Sequence, residues 1–292
     1  MFQQPNRFNI FATLTMIPNI FHFVFGMAAD FGGRPFSLSH YLAIKSAVDV
    51  NKPEKVFFHY EFEPTGEWWE KAKPLLTLHP IKAPDSFMGQ PLCHVAHKAD
   101  VVRLQALKET GGIYLDLDTI CVKPLHALFN HSFIVGQELA PEYIPKNWRQ
   151  KIKHYIRQKL ADSGEAKVNG LCNAVLLSEK NSDFVNLWLN TYASFRSKGR
   201  DKYWNEHSVI VPIKLAAENP GKVTLLGPYA FHYPLYNQPG LESMFEKKTP
   251  FPEAYLHHLW ESFSWDKYLG RLTVKDIMER DTTYNCIARR FL

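Results

Sequence analysis

Two hydrophobic periods divide this chain into elements. Over residues 94–110 the apolar residues Val95, Ala99, Val102, Ala106 and Leu107 recur at helical spacing, with no Gly or Pro among them. Gly111-Gly112 follows and predicts a left-handed C-terminal cap. Ile113-Tyr-Leu-Asp-Leu-Asp118 then alternates with period two. This predicts a strand with Ile113, Leu115 and Leu117 on one face and Tyr114, Asp116 and Asp118 on the other.

The same switching of period runs along the rest of the chain. Ile17-Pro-Asn-Ile-Phe-His-Phe-Val-Phe-Gly26 is a short apolar run stopped by glycine, and residues 20–25 read as a buried first strand. Residues 37–50 have helical spacing through Leu38, Leu42, Ile44 and Val48. Residues 55–60 predict a strand and 68–76 a helix. Further strands are expected at 133–136, 173–177 and 223–226, and a helix at 184–195. Residues 257–265 read as an aromatic, His-bearing turn. Strand and helix in alternation predict an α/β fold, a mainly parallel sheet covered on both faces. With no internal repeat or low-complexity linker, residues 1–292 are expected to form one domain.

Composition narrows this little. Hydrophobic residues at 46% and charged residues at 22% exclude a disordered chain or a coiled coil. Aromatic residues reach 14%, and their faces suit nucleobase and sugar stacking as well as core filling. The net charge of +5 is mild and scattered. With no nucleic-acid-binding motif, it leaves smaller polyanions such as nucleotide diphosphates as partners. Cys93, Cys121, Cys172 and Cys286 are too widely spaced for a zinc or redox motif and read as reduced thiols. Pro18, Asn19 and His22 interrupt the apolar stretch 10–26, which falls short of the roughly 20 residues of a spanning helix. The start, Met1-Phe-Gln-Gln4, lacks the basic residues of a signal peptide. A cytoplasmic, bacterial enzyme is the expectation.

Two aspartates at the end of a buried strand need a cation beside them. A divalent metal suits carboxylate oxygens, and Mg2+ or Mn2+ completes its shell with substrate phosphates. In an open α/β sheet the carboxyl ends of the strands face the ligand crevice. A bare Asp-x-Asp is weak on its own, since a strand end capped by carboxylates gives the same pattern.

The surrounding residues make it specific. Ala99-Asp-Val-Val-Arg-Leu-Gln-Ala-Leu-Lys-Glu-Thr-Gly-Gly-Ile-Tyr-Leu-Asp-Leu-Asp118 resembles the sugar-binding signature of the DXD glycosyltransferases. That group contains initiating mannosyltransferases, capsular sugar transferases, α1,4-galactosyltransferases and the clostridial glucosylating toxins. The run 17–26 resembles the family's first strand, Ile-Pro-x-x-Ile-His-x-x-Trp-x-Gly, with Phe25 in place of the tryptophan and one residue fewer. His257-His-Leu-Trp-Glu-Ser-Phe-Ser-Trp265 resembles its closing motif.

The resemblance implies a GT-A type fold with a mixed, mainly parallel sheet, and a Mn2+- or Mg2+-dependent hexosyl transfer. The donor would be a nucleotide diphosphate sugar, UDP before GDP, and the acceptor a glycan, glycolipid or protein. It further implies retention of anomeric configuration through an oxocarbenium-like intermediate. Asp118 and Asp116 would hold the metal, with His258 as first choice for a further ligand and Glu261 as second; the other register makes it His257. Asp116 would also touch the ribose. Phe23, Val24 and Phe25 would border the base, and Ser264, Trp265 and Tyr114 the phosphates. Asp100 would accept sugar hydroxyls, Arg103 would neutralise phosphate or orient the hexose, and Asn173 would contact the transferred sugar.

Residues 145–165, which include Trp148, Ile152, Ile156 and Leu160 on one helical stripe among basic residues, predict an amphipathic helical addition. It reads as a helix packed on the domain or as a peripheral membrane contact. Two other functions fit the acidic pair: a metal-dependent hydrolase of nucleotide sugars or phosphodiesters, and a non-catalytic nucleotide-sugar-binding module.

Overall fold

The computed structural model describes residues 17–140 and 168–292. The basic segment 145–165 lies outside them. Seven strands form one sheet, in the spatial order Thr224–Leu226, Phe133–Leu139, Val168–Ser178, Gly112–Leu115, Ile20–Val24, Lys55–Tyr60 and Thr77–Pro80. Its first half is built from β1 (Ile20–Val24), α1 (Leu38–Asn51), β2 (Lys55–Tyr60), α2 (Glu67–Ala72) and β3 (Thr77–Pro80). A small hairpin, β4 (Ser86–Phe87) and β5 (Gln90–Pro91), leads into α3 (Val95–Thr110) and β6 (Gly112–Leu115). Strands β3, β2, β1 and β6 run parallel to one another.

After β7 (Thr119–Cys121) come β8 (Phe133–Leu139) and β9 (Val168–Ser178), then α4 (Asp183–Thr191), α5 (Val211–Glu218) and β10 (Thr224–Leu226). Strand β9 is antiparallel to both β6 and β8, while β10 is parallel to β8. The sheet is therefore mixed but mainly parallel, as expected. The C-terminal part contains α6 (Gln238–Phe245), β11 (Leu256–His258), α7 (Glu261–Ser264), α8 (Val274–Glu279) and α9 (Thr283–Ala288).

Period two decides the core. Phe21 and Phe23 of β1 pack with Val56 and Phe58 of β2, Ala43 and Ile44 of α1 and Trp69 of α2. The opposite face packs Val24, Tyr114 and Val135 against Val101, Leu104 and Leu107 of α3 and Phe184 and Trp188 of α4. Helices α8 and α9 contribute Ile277, Tyr284 and Ala288 to a third cluster with Leu38 and Leu42 of α1. Within the sheet, imidazoles cross three strands in a row. His22 Nδ1 meets His59 Nε2 at 3.0 Å, and His59 Nδ1 meets His79 Nδ1 at 2.8 Å. His22 Nε2 is also 3.0 Å from the Gly111 carbonyl.

Two local departures from expectation shape the site. Helix α3 does end at Gly111 with φ 70°, but ψ is −168°, so the chain extends directly into β6 rather than closing a left-handed cap. Gly112 follows at φ 108°, and a Cβ there would collide with the Ile20 carbonyl oxygen, so only glycine fits. Secondly, β6 stops at Leu115, and residues 117 and 118 form a turn instead of continuing the strand. The turn lets Asp116 N donate to Ala174 O at 2.9 Å and starts β7, which pairs antiparallel with β11. The tail expected to be turn-like is thus a strand followed by a short helix.

Candidate active site

Strand β1 has β2 on one side and β6 on the other, so the strand order reverses there. Ligands in open α/β sheets bind outside the carboxyl ends at such a point. A cleft of about 630 Å³ opens at that place, lined among others by Val24, Phe25, Asp116, Leu117 and Asp118. Its size falls in the usual range for small-molecule sites.

Asp116 and Asp118 reach the cleft from the turn after β6, and His258 comes from β11. Thr119 pairs with His258 in the β7–β11 register, which sets the tail beside the acidic turn. A ligand atom from each of Asp116, Asp118 and His258 lies within 4.8 Å of the others. His258 Nε2 is 3.2 Å from Asp118 Oδ2, and that oxygen also accepts the Glu261 N–H at 2.6 Å. Burial opposes the Asp118 charge, yet His258 and the Glu261 N–H together hold its pKa down at about 2. Burial likewise works against charge on His258, but the Asp118 carboxylate outweighs it and raises the imidazole. Asp116 is pushed up by burial and, against the pull of Arg103, by its neighbour Asp118. Two carboxylates and an imidazole form a hard O/N donor set that fits a divalent cation of the Mg2+ or Mn2+ class.

The other histidine of the pair faces away. His257 Nδ1 is bonded to Tyr233 O at 3.1 Å. Glu261 also turns from the trio: its carboxylate accepts His40 Nε2 at 2.7 Å and Arg34 Nη1 at 3.2 Å.

Asp100 and Arg103 stand on α3 above the same end of the sheet, both buried and both lining the cleft. Arg103 Nη2 is 3.2 Å from Asp100 Oδ1, and its Nη1 lies 3.1 Å from Asp116 Oδ1 and 2.9 Å from Asn173 O. Asn173 Nδ2 donates to Asp100 Oδ1 at 2.7 Å. The expected sugar-contacting residues therefore form one network with the acidic pair. An irregularity in the β8–β9 ladder creates it: Val135 pairs with Leu176, but Gly136 pairs with Cys172, so residues 173–175 are skipped by β8. The Asn173 carbonyl serves Arg103 there, while the Ala174 carbonyl continues the β6–β9 ladder to Asp116 N.

Three expected phosphate contacts do not line the cleft. Tyr114 is buried beneath Arg103, and its hydroxyl donates to Asp116 Oδ1 at 2.5 Å. Ser264 is fully buried, whereas Ser262 and Phe263 line the cleft. Trp265 stacks on His40 with ring centroids 5.8 Å apart. Phe25 does line the cleft, stacked on Phe31 at 5.5 Å, while Phe23 is core.

Residues that sequence reading missed complete the walls. Phe31 and His40 adjoin Phe25, and Arg34 lines the cleft paired with Glu261. Elsewhere on the wall His94 meets Trp204 edge-on at 4.7 Å, with Arg200 over the indole at 5.2 Å. Glu138, Cys172 and Trp260 also contribute. These come from loops and distant strands with no local spacing to mark them.

A family model described as "Glycosyltransferase sugar-binding region containing DXD motif" matches residues 53–135. The chain is 35% identical over 283 residues to "Glucan organizing enzyme 1" of Cryptococcus neoformans var. grubii, covering 95% of this chain and 71% of that protein. Among solved structures it is similar to mouse xyloside xylosyltransferase 1, at 14% identity and TM-score 0.47, covering 83% of this chain and 98% of that one. It is also similar to the galactosyltransferase LgtC in complex with donor and acceptor sugar analogs, at 14% identity and TM-score 0.44, covering 93% and 96%. The acidic turn and the 35% identity along nearly the whole chain agree, and the protein belongs to the glycosyltransferases whose sugar-binding region contains the DXD motif.

Proposed function

We propose that this glycosyltransferase moves a hexose from a UDP-sugar to a glycan acceptor, with retention of anomeric configuration and with Mn2+, or Mg2+ in its place. The convergence of Asp116, Asp118 and His258 at the cleft carries this reading. Those three residues would hold the cation, which supplies Lewis-acid relief of the charge that develops on the departing diphosphate.

The chain's own residues do the remaining work. Arg103 is locked between Asp100 and Asp116, so it orients the carboxylate of Asp116 rather than travelling to a phosphate. Asp100 and Asn173, both lining the cleft, would fix sugar hydroxyls. Phe25 and Phe31 offer a flat apolar surface for the base. Among the described residues, the cleft carboxylates Asp100 and Glu138 are engaged, the first by Asn173 and Arg103 and the second by Asn169, rather than free to attack the anomeric carbon. Retention then fits an oxocarbenium-like intermediate, with the leaving phosphate accepting the acceptor's proton. The glucan in the relative's name supports a glycan acceptor.

The test is a panel of UDP- and GDP-sugars with Mn2+, followed by NMR of donor loss and of the released anomer. One donor should be consumed in a metal-dependent way, with α-sugar released first from an α-linked donor. Asp118→Asn should lower the rate by about 100-fold or more, the scale of losing a preorganised electrostatic partner. An inverted first product would reject retention, and donor loss unaffected by chelation would reject the metal.

A further inference from the structure

Next to the acidic turn lies a second, chemically different trio. Cys172 on β9, His232 and His258 each bring a ligand atom within 4.8 Å of the others, and all three are buried. His232 is fully buried, and neither of its ring nitrogens has a hydrogen-bond partner among the described residues. The same is true of His258 Nδ1, the ring atom not engaged with Asp118. Imidazole nitrogens left unpaired in a core cost free energy, and such groups call for a partner.

The surroundings favour a cation. Glu138 is buried beside the Cys172 thiol. Gly136 keeps the space open: a Cβ there would lie 2.9 Å from the His232 ring. Access exists, because Cys172 and His258 line the cleft although His232 does not.

We infer that Cys172, His232 and His258 form a Zn2+ site, with His258 coordinating through Nδ1. One thiolate and two imidazoles are a soft S/N set that selects zinc over magnesium or manganese, and three protein ligands leave one position open toward the cleft. The Cys172 thiol gives up its proton to solvent as the metal binds. His258 Nε2 then carries its hydrogen and donates to Asp118 Oδ2, the 3.2 Å contact already in place. That is the carboxylate–histidine–zinc arrangement that orients metal-bound imidazoles.

A consequence follows that rests on the proposed role of His258 at the acidic turn. An activating cation there needs the Nε2 lone pair, whereas the zinc site needs Nε2–H. One neutral ring cannot supply both, so zinc lowers activity by taking His258 away.

The experiment titrates the metal-stripped full chain with Co2+ and records its absorption. A thiolate-to-cobalt charge-transfer band should appear, saturate at one equivalent and be bleached by Zn2+. It should vanish in Cys172→Ser and persist in Asp116→Asn. His232→Gln, checked for native circular dichroism, should weaken cobalt binding by about tenfold or more. Absence of the band in the parent protein, or its survival in Cys172→Ser, overturns the site. Donor cleavage is then measured with Mn2+ and rising Zn2+. Inhibition that disappears in Cys172→Ser supports the shared ring; an intact cobalt band with zinc-insensitive turnover overturns the sharing and leaves the zinc site standing.

Discussion

Arg103 shows how a single side chain can hold a cluster of acidic groups together. Its guanidinium forks between Asp100 and Asp116 and stacks on Tyr114, with the cation 4.4 Å from the ring centroid. Burial alone would disfavour its charge, but Asp116 and Asp100 outweigh burial and raise its pKa above the ordinary arginine value. Removing one partner from such a group leaves the others charged and desolvated. Arg103→Met is therefore expected to cost about 3–5 kcal/mol in urea unfolding. Arg103→Lys should recover only part of that, because an ammonium cannot fork between two carboxylates. If Arg103→Met leaves stability within experimental error, the network is not structural.

At the scale of elements, what the sequence revealed and what it concealed have different ranges. Helix α3 and strand β6 were legible because the change of period from helix to strand is local, and Gly111-Gly112 marks the junction. The end of β6 was not, since Ile113 to Asp118 keeps alternating while the chain turns. Asp116 N still bonds the β9 carbonyl of Ala174, and what redirects the chain beyond it is the pairing with β11, remote in sequence. The acidic pair and His258 were legible through motif resemblance. Ser264 and Trp265 were misplaced because α7 is only four residues long, so a small rotation decides which side chain faces the cleft. The cysteine and histidines behind His258 had no spacing to reveal them.

The imidazole row across β1, β2 and β3 also belongs to this scale, and it gives the sheet a pH dependence. Burial is the main cause that depresses His22 to about 4, and burial with the neighbouring imidazoles depresses His59 to about 3. The unfolded chain takes up these protons first, near its ordinary pKa of about 6.5, so folding is favoured above that pH. Stability is lost as pH falls from about 6.5 toward the folded values. Between neutral pH and about pH 4.5, each of these histidines accounts for roughly 2–3 kcal/mol of the loss. His22→Asn should flatten the dependence by about that amount in urea unfolding at the two pH values. A slope equal to that of the parent protein would mean the row is protonated in the native state.

For the whole molecule, the proposed cation site joins two regions that the sheet alone does not connect. No helix among the described residues is long and apolar enough to cross a membrane. A ligand bound only by the folded state stabilises it by mass action. Mn2+ at about a hundred times its dissociation constant should add about 2.7 kcal/mol, read as a higher melting temperature. Asp118→Asn should lose most of that gain. An unchanged melting temperature in the parent protein would count against Asp116, Asp118 and His258 acting as one site.

The pairing of β7 with β11 has a consequence for how the enzyme comes into being. Asp118 and the Glu261 amide it accepts are 143 residues apart, and His258 arrives on the same late strand. During synthesis, the central strands β1, β2, β3 and β6 are complete long before the residues that close the site emerge. A nascent or truncated chain thus displays its acidic turn with no imidazole opposite. Closing so long a loop is among the slower folding events. A chain interrupted before β11 accordingly carries the family's signature with its candidate site still incomplete.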